Sequence, residues 1–118
     1  MNLHEYPGAI ASIQRQLLKA DEEIRQLTES VGWAESAIDR EIAFDNTLRN
    51  DAQRKARKSE LMQTNEIYIE AAIALKHAQN RKAELSIELE QMRNCFSILK
   101  LEIKAAIAQR LLEASEAA

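Results

Sequence analysis

The sequence predicts an all-α chain folded as a long antiparallel hairpin of two coiled-coil-like helices, and three observations carry that expectation. Apolar residues recur at heptad spacing over most of the chain. Two glycines and one proline among 118 residues leave almost none of the punctuation that a sheet or a multi-loop fold needs. Aromatics are only 4% while alanine is abundant, which favours helix over strand.

The lead-in, residues 1–8, contains Pro7 where a proline can open a helix, because the N–H it lacks would have no partner there. A first long helix is predicted over residues 9–62. Ile10, Leu17, Ile24, Val31 and Ile38 recur every seven residues, with Ile13, Ala20, Leu27, Ala34 and Leu48 at the companion positions. Gly32 is one candidate break, since a mid-helix glycine costs about 1 kcal/mol relative to alanine. The heptad phase nevertheless runs straight through it, so one continuous helix is favoured. The seam weakens after Ile42: Glu41 and Asp45 take seam positions, and Asn46, Thr47 and Asn50 are poor helix formers. A kink at 45–50 is expected there, with a separate third helix as the second choice.

The reversal of the hairpin is placed at 63–65. Thr64 or Asn65 can cap the helix that follows, Asn65 being preferred, and Glu66 then faces the positive end of the helix dipole. A second long helix is predicted over 66–115, with Tyr68, Leu75, Lys82, Leu89, Phe96 and Ile103 paired to Ala71, Ala78, Leu85, Met92, Leu99 and Ala106. With the turn at 63–65, Ile10 to Ile24 should pack near Leu99 to Leu112, and Leu48 near Leu75 to Ala78. Each arm would then reach about 75–80 Å, a rod in place of a globule.

Apolar residues also lie off the seams. Ile87, Ile98, Leu101, Ala105 and Leu112 form a second stripe on the second helix, and Trp33 with Ala37 and Phe44 forms another on the first. Exposed apolar patches mark interfaces, and a lone two-helix hairpin buries little surface for its length. Trp33, Phe44, Ile87, Ile98, Leu101 and Leu112 are therefore the candidate self-association residues of a homodimer that closes as a four-helix bundle. The competing readings are a lead-in folded over the stripe and, for Trp33, an indole lying on its own helix.

A formal net charge of −3 argues against a broad basic surface. Locally, however, Arg49, Arg54, Lys55, Arg57 and Lys58 oppose a single carboxylate, Asp51, within ten residues. Cations in the last turns of a helix are favoured by its dipole, so a solvated basic face is the ordinary explanation. The functional alternative is a patch that contacts phosphate or an acidic partner. No aromatics interleave with these charges, so base stacking is not expected.

Catalytic and metal chemistry find little support. His4 and His77 lack a second ligand at i+3 or i+4, and Ala74 stands where a Glu-x-x-His motif would need its glutamate. No glycine-rich phosphate loop or nucleophilic triad is present. Cys95, the only cysteine, excludes an intrachain disulfide, fits a reducing compartment, and beside Phe96 is expected to be a buried structural thiol. No apolar run approaches the roughly 18 residues that span a bilayer, and no signal-peptide core opens the chain. The expectation is a cytoplasmic protein that is not an enzyme, has no cofactor and does not engage a membrane.

Leu48-Arg49-Asn50-Asp51, Gln53-Arg54-Lys55, Glu60-Leu61 and Tyr68, with Ile87-Glu88-Leu89-Glu90, Met92-Arg93-Asn94 and Phe96-Ser97, together resemble small helical proteins of unknown function from tailed phages and prophages. The resemblance covers Leu48 to Phe96. Such proteins sit near recombination and single-strand-binding genes, so it implies an accessory role in DNA transactions. Their inter-helix turn often carries a proline, where this chain has Glu66. Prefoldin-like subunits are set aside because residues 56–72 leave no room for strands. Secreted WxG-type hairpins are set aside because Gly32 directly precedes Trp33 within a helix.

Two functions follow as expectations. The first is a non-enzymatic interaction or scaffold protein acting through coiled-coil self-association, as a homodimer with or without a further protein partner. The second is an accessory DNA- or DNA-protein-binding factor of a phage or mobile element, which contacts nucleic acid through the basic patch.

Overall fold

The computed structural model describes residues 1–117. Among these the only regular structure is helical: a 3-10 turn at Leu3–Glu5, then α1 (Tyr6–Ala43), α2 (Asp51–Thr64) and α3 (Glu66–Ala117). The all-α expectation holds, but the predicted pair of helices is three. No helix of the described residues is long and apolar enough to cross a membrane.

The first turn is set by Asn2, whose Oδ1 accepts the His4 N–H at 3.1 Å, and Pro7 falls in the opening turn of α1. Gly32 lies inside α1, as the heptad phase requires. Its φ is not positive, and a Cβ built there would meet nothing within 4 Å. It thus serves neither a turn nor a close approach. Gly32→Ala should raise stability by about 0.5–1 kcal/mol, read from the urea midpoint, because alanine loses less backbone entropy on folding.

Helix α1 stops at Ala43, which corrects the predicted helix over 9–62. Asp45 Oδ1 accepts both the Thr47 N–H at 2.9 Å and the Thr47 hydroxyl at 2.6 Å, offering the backbone an alternative to the helical ladder. Asn50, extended at φ −146°, then caps α2 by accepting the Gln53 N–H at 2.9 Å. The Gln53 side chain reaches back to the Arg49 N–H at 2.7 Å, a close relative of the capping box.

Packing divides into two compact units, one joining Met1–Leu18 to the part of α3 from Ala83 onward, the other comprising Lys19–Lys82. In the second unit Lys58 Nζ lies 3.0 Å from both Glu35 and Asp39, and Lys82 Nζ lies 2.6 Å from Asp21. As numbering rises along α2 and α3 it falls along α1, so the pairing is antiparallel. These distances also locate the reversal. Asp21 lies 22 residues before the end of α1. Had the chain turned back at Asn65, the 17 residues from there to Lys82 would return it roughly 25 Å toward the end of α1. The reversal is therefore at Phe44–Asn50, and the predicted turn at 63–65 is not one.

Asn65 is a one-residue interruption at φ −73°, ψ 112°. Its N–H reaches the Leu61 carbonyl at 2.7 Å and its carbonyl accepts the Ile69 N–H at 3.0 Å, so ladder bonds continue on both sides. Its side chain accepts the Tyr68 N–H at 2.9 Å, which makes it the predicted cap of α3.

The apolar core of the second unit forms beneath the reversal: Ile38, Ile42 and Leu61, flanked by Leu48, Met62 and Tyr68. Leu48 packs here and not near Leu75 to Ala78, because the chain turns back at 44–50 and not at 63–65. Ile42, not Glu41, continues the buried stripe of α1. In the first unit the Tyr6 and Phe96 rings stack at 5.3 Å, so the start of α1 faces the middle of α3 and not Leu99 to Leu112. Ile38 is fully buried. Ile38→Ala should cost about 2–5 kcal/mol in chemical denaturation, with Ile38→Val costing about a third of that.

Candidate interaction surfaces

The five predicted cations fall on or beside α2. Arg49 precedes its cap, and Arg54, Lys55, Arg57 and Lys58 occupy its second and third turns. That corrects their placement in the last turns of a first helix, and the C-terminal dipole does not account for them. Carboxylates do. Arg54 pairs with Asp51 at 3.0 Å, Arg57 with Glu60 at 3.0 Å, and Lys58 with Glu35 and Asp39 of α1. The carboxylates of Asp39, first, and Glu35 hold the Lys58 ammonium above its ordinary value. Arg49 and Lys55 are exposed and have no ion-pair partner among the described residues. The cluster is thus brought together, but three of its five charges already face a carboxylate. Exposed pairs of this kind contribute little to stability. Glu35 and Asp39 were missed because their approach to Lys58 depends on a reversal at 44–50.

Asp45 anchors the turn that positions this cluster. The Thr47 hydroxyl, then the Thr47 N–H, hold its carboxyl below its ordinary value of 3.8, with the Arg57 charge adding to the effect. A value depressed only in the fold stabilises above the ordinary value, and that contribution is lost as pH falls through the folded one. Asp45→Asn should therefore flatten the loss of stability below about pH 4. Urea midpoints followed across that range read the difference.

The six candidate self-association residues are all exposed: Trp33 77%, Phe44 83%, Ile87 58%, Ile98 55%, Leu101 64% and Leu112 54%. They divide between the two units. Trp33 and Phe44 belong to the second unit, and the four aliphatic residues lie on α3 in the first. Ile107 and Leu111 are exposed too, and they went unnoticed because they fall between the heptad seam and the second stripe.

Phe96 is covered on one side by Tyr6 and approached by Lys100 Nζ, 4.3 Å from its ring centroid. Cys95, next to it, is exposed, which corrects the expectation of a buried thiol. One residue is 100° of helical rotation, enough to carry its side chain off the seam that Phe96 occupies. Among the described residues no pocket forms, and no three of His, Cys, Asp and Glu converge as metal ligands. Comparison with known proteins finds no matching family model, no matching curated protein and no matching solved structure.

Proposed function

We propose that this chain is a non-enzymatic helical interaction protein of the cytoplasm, acting through coiled-coil self-association, two copies joining α1 and α3 into a four-helix bundle. The observation that carries this reading is the row of exposed aliphatic side chains on α3, with Ile87, Ile98, Leu101 and Leu112 each more than half exposed. Burial is worth about 25 cal/mol per Å² of apolar surface, and a helix whose second face is apolar gains that energy only from a partner.

A second reading, an accessory DNA- or DNA-protein-binding factor of a phage or mobile element, draws support from Arg49 and Lys55, exposed cations without a carboxylate beside them. The ion pairs of Arg54, Arg57 and Lys58 weigh against it, since phosphate would have to displace carboxylates already in place.

Light scattering coupled to size exclusion, at low and moderate salt and with short single-stranded and duplex DNA, separates the two readings. The expected result is a dimer mass indifferent to salt and to DNA, since apolar pairing does not weaken as salt rises. A monomer at about 100 μM would overturn the proposal. A salt-sensitive shift with DNA, lost in the Arg49→Gln, Lys55→Gln variant, would put the second reading in its place.

A further inference from the structure

Asn65 alone separates α2 from α3, and neither helix contains glycine or proline. Nothing in the covalent chain forbids a continuous helix through the junction. The break nevertheless forgoes three ladder bonds. The N–H groups of Glu66, Ile67 and Tyr68 do not reach the carbonyls of Met62, Gln63 and Thr64, and of the three only the Tyr68 N–H finds a substitute, Asn65 Oδ1 at 2.9 Å. The ψ angle of Asn65 is 112°, where a helix has about −42°.

What the break gains is alignment within the unit Lys19–Lys82. From Lys82 back to Lys58 is 24 residues, about 36 Å of straight helix. On α1, the point midway between Glu35 and Asp39, which Lys58 meets, lies 16 residues from Asp21, which Lys82 meets, or about 24 Å. Both pairings join a lysine of one strand of the hairpin to carboxylates of the other, so side-chain length enters both alike and does not supply the difference. The angle at Asn65 takes up the surplus of about 12 Å and brings Leu61 to Ile38.

A second position of α2 is within the reach of its tether. In line with α3, Lys58 would pass the end of α1 at Ala43, and Asp51 would stand about 14 Å beyond it. With helix axes about 10 Å apart, that is roughly 17 Å from Ala43, and the linker 44–50 can span about 26 Å. The move therefore leaves α1 paired with α3 at Lys82. We infer that Asn65 is a hinge between two positions of α2: folded onto α1 when Asn65 is extended, and in line with α3 when Asn65 is helical. The first position is held by Leu61 and Met62 in the cluster with Ile38 and Ile42, and by Lys58 between Glu35 and Asp39. The second regains three ladder bonds and draws Leu61 away from Ile38 and Lys58 away from its carboxylates.

Spin labels at Ala52→Cys and Gln79→Cys, both exposed positions, in a Cys95→Ser chain read the hinge by pulsed dipolar spectroscopy. Labelled chain is diluted into excess unlabelled chain, so that only distances within one chain are measured. An in-line helix sets the two positions about 40 Å apart, and the folded position sets them clearly closer. The chain with Asn65 intact should give the shorter distance. Asn65→Ala and Asn65→Gly both remove the side-chain cap, but only alanine favours a continuous helix, while glycine tolerates the cap position. Asn65→Ala should therefore move the main distance to about 40 Å with far-UV circular dichroism fully helical, and Asn65→Gly should keep the shorter one. An alanine variant that keeps the shorter distance overturns the hinge. So does an equal lengthening in both variants, which would reflect loss of the cap alone, and so does a broad distribution with loss of helical signal, which would mean that α2 melts and does not swing.

Discussion

Ile38, fully buried against Ile42 and Leu61, is the contact on which the unit Lys19–Lys82 depends. Helix α2 has fourteen residues, close to the length below which an isolated helix is marginal in water. The caps and turn bonds at Asp45, Thr47 and Asn50 are exposed, and bonds of that kind contribute about 1 kcal/mol each. They specify how the chain turns, while the apolar cluster supplies the stability that keeps it turned. Once Leu61 lies against Ile38, Lys58 comes within reach of Glu35 and Asp39, and Tyr68 joins the same cluster from α3.

The same packing explains the electrostatics of the basic run. Of the five cations in ten residues, three have carboxylates as neighbours among the described residues and two, Arg49 and Lys55, do not. Intrahelical spacing pairs Arg54 with Asp51 and Arg57 with Glu60. Antiparallel packing adds the two carboxylates of α1 beside Lys58. One apolar face of α1 and of α3 is used internally, and α3 keeps a second apolar stripe with Ile87, Ile98, Leu101 and Leu112 exposed.

Much of the internal seam was legible without the fold. Every predicted heptad residue of α1 from Ile10 to Ile38 is buried or half-buried, as is every one on α3 from Tyr68 to Ile103 except Lys82, which turns outward to Asp21. The cap at Asn65 was legible as well, because a short polar side chain ahead of an apolar-periodic segment has a local mechanism. The reversal was misplaced because Asn65 and the Asp45–Asn50 segment both carry such side chains, and neither contains glycine or proline. The cluster of Asp45, Asn46, Thr47 and Asn50 was the stronger loop signal. Leu48 masks it by falling in heptad phase, although it is half-buried in the turn and not on a helix.

The sequence by itself determined that the chain is helical, which faces of α1 and α3 are apolar, and that a small polar residue caps α3, because periodicity, propensity and capping act over a few residues. Only the tertiary structure decided where the chain reverses, which cations meet carboxylates and that Cys95 faces outward. Those depend on which of two similar breaks brings distant apolar stripes into register. That choice is made by the burial of Ile38, Ile42 and Leu61, residues up to 23 positions apart in sequence.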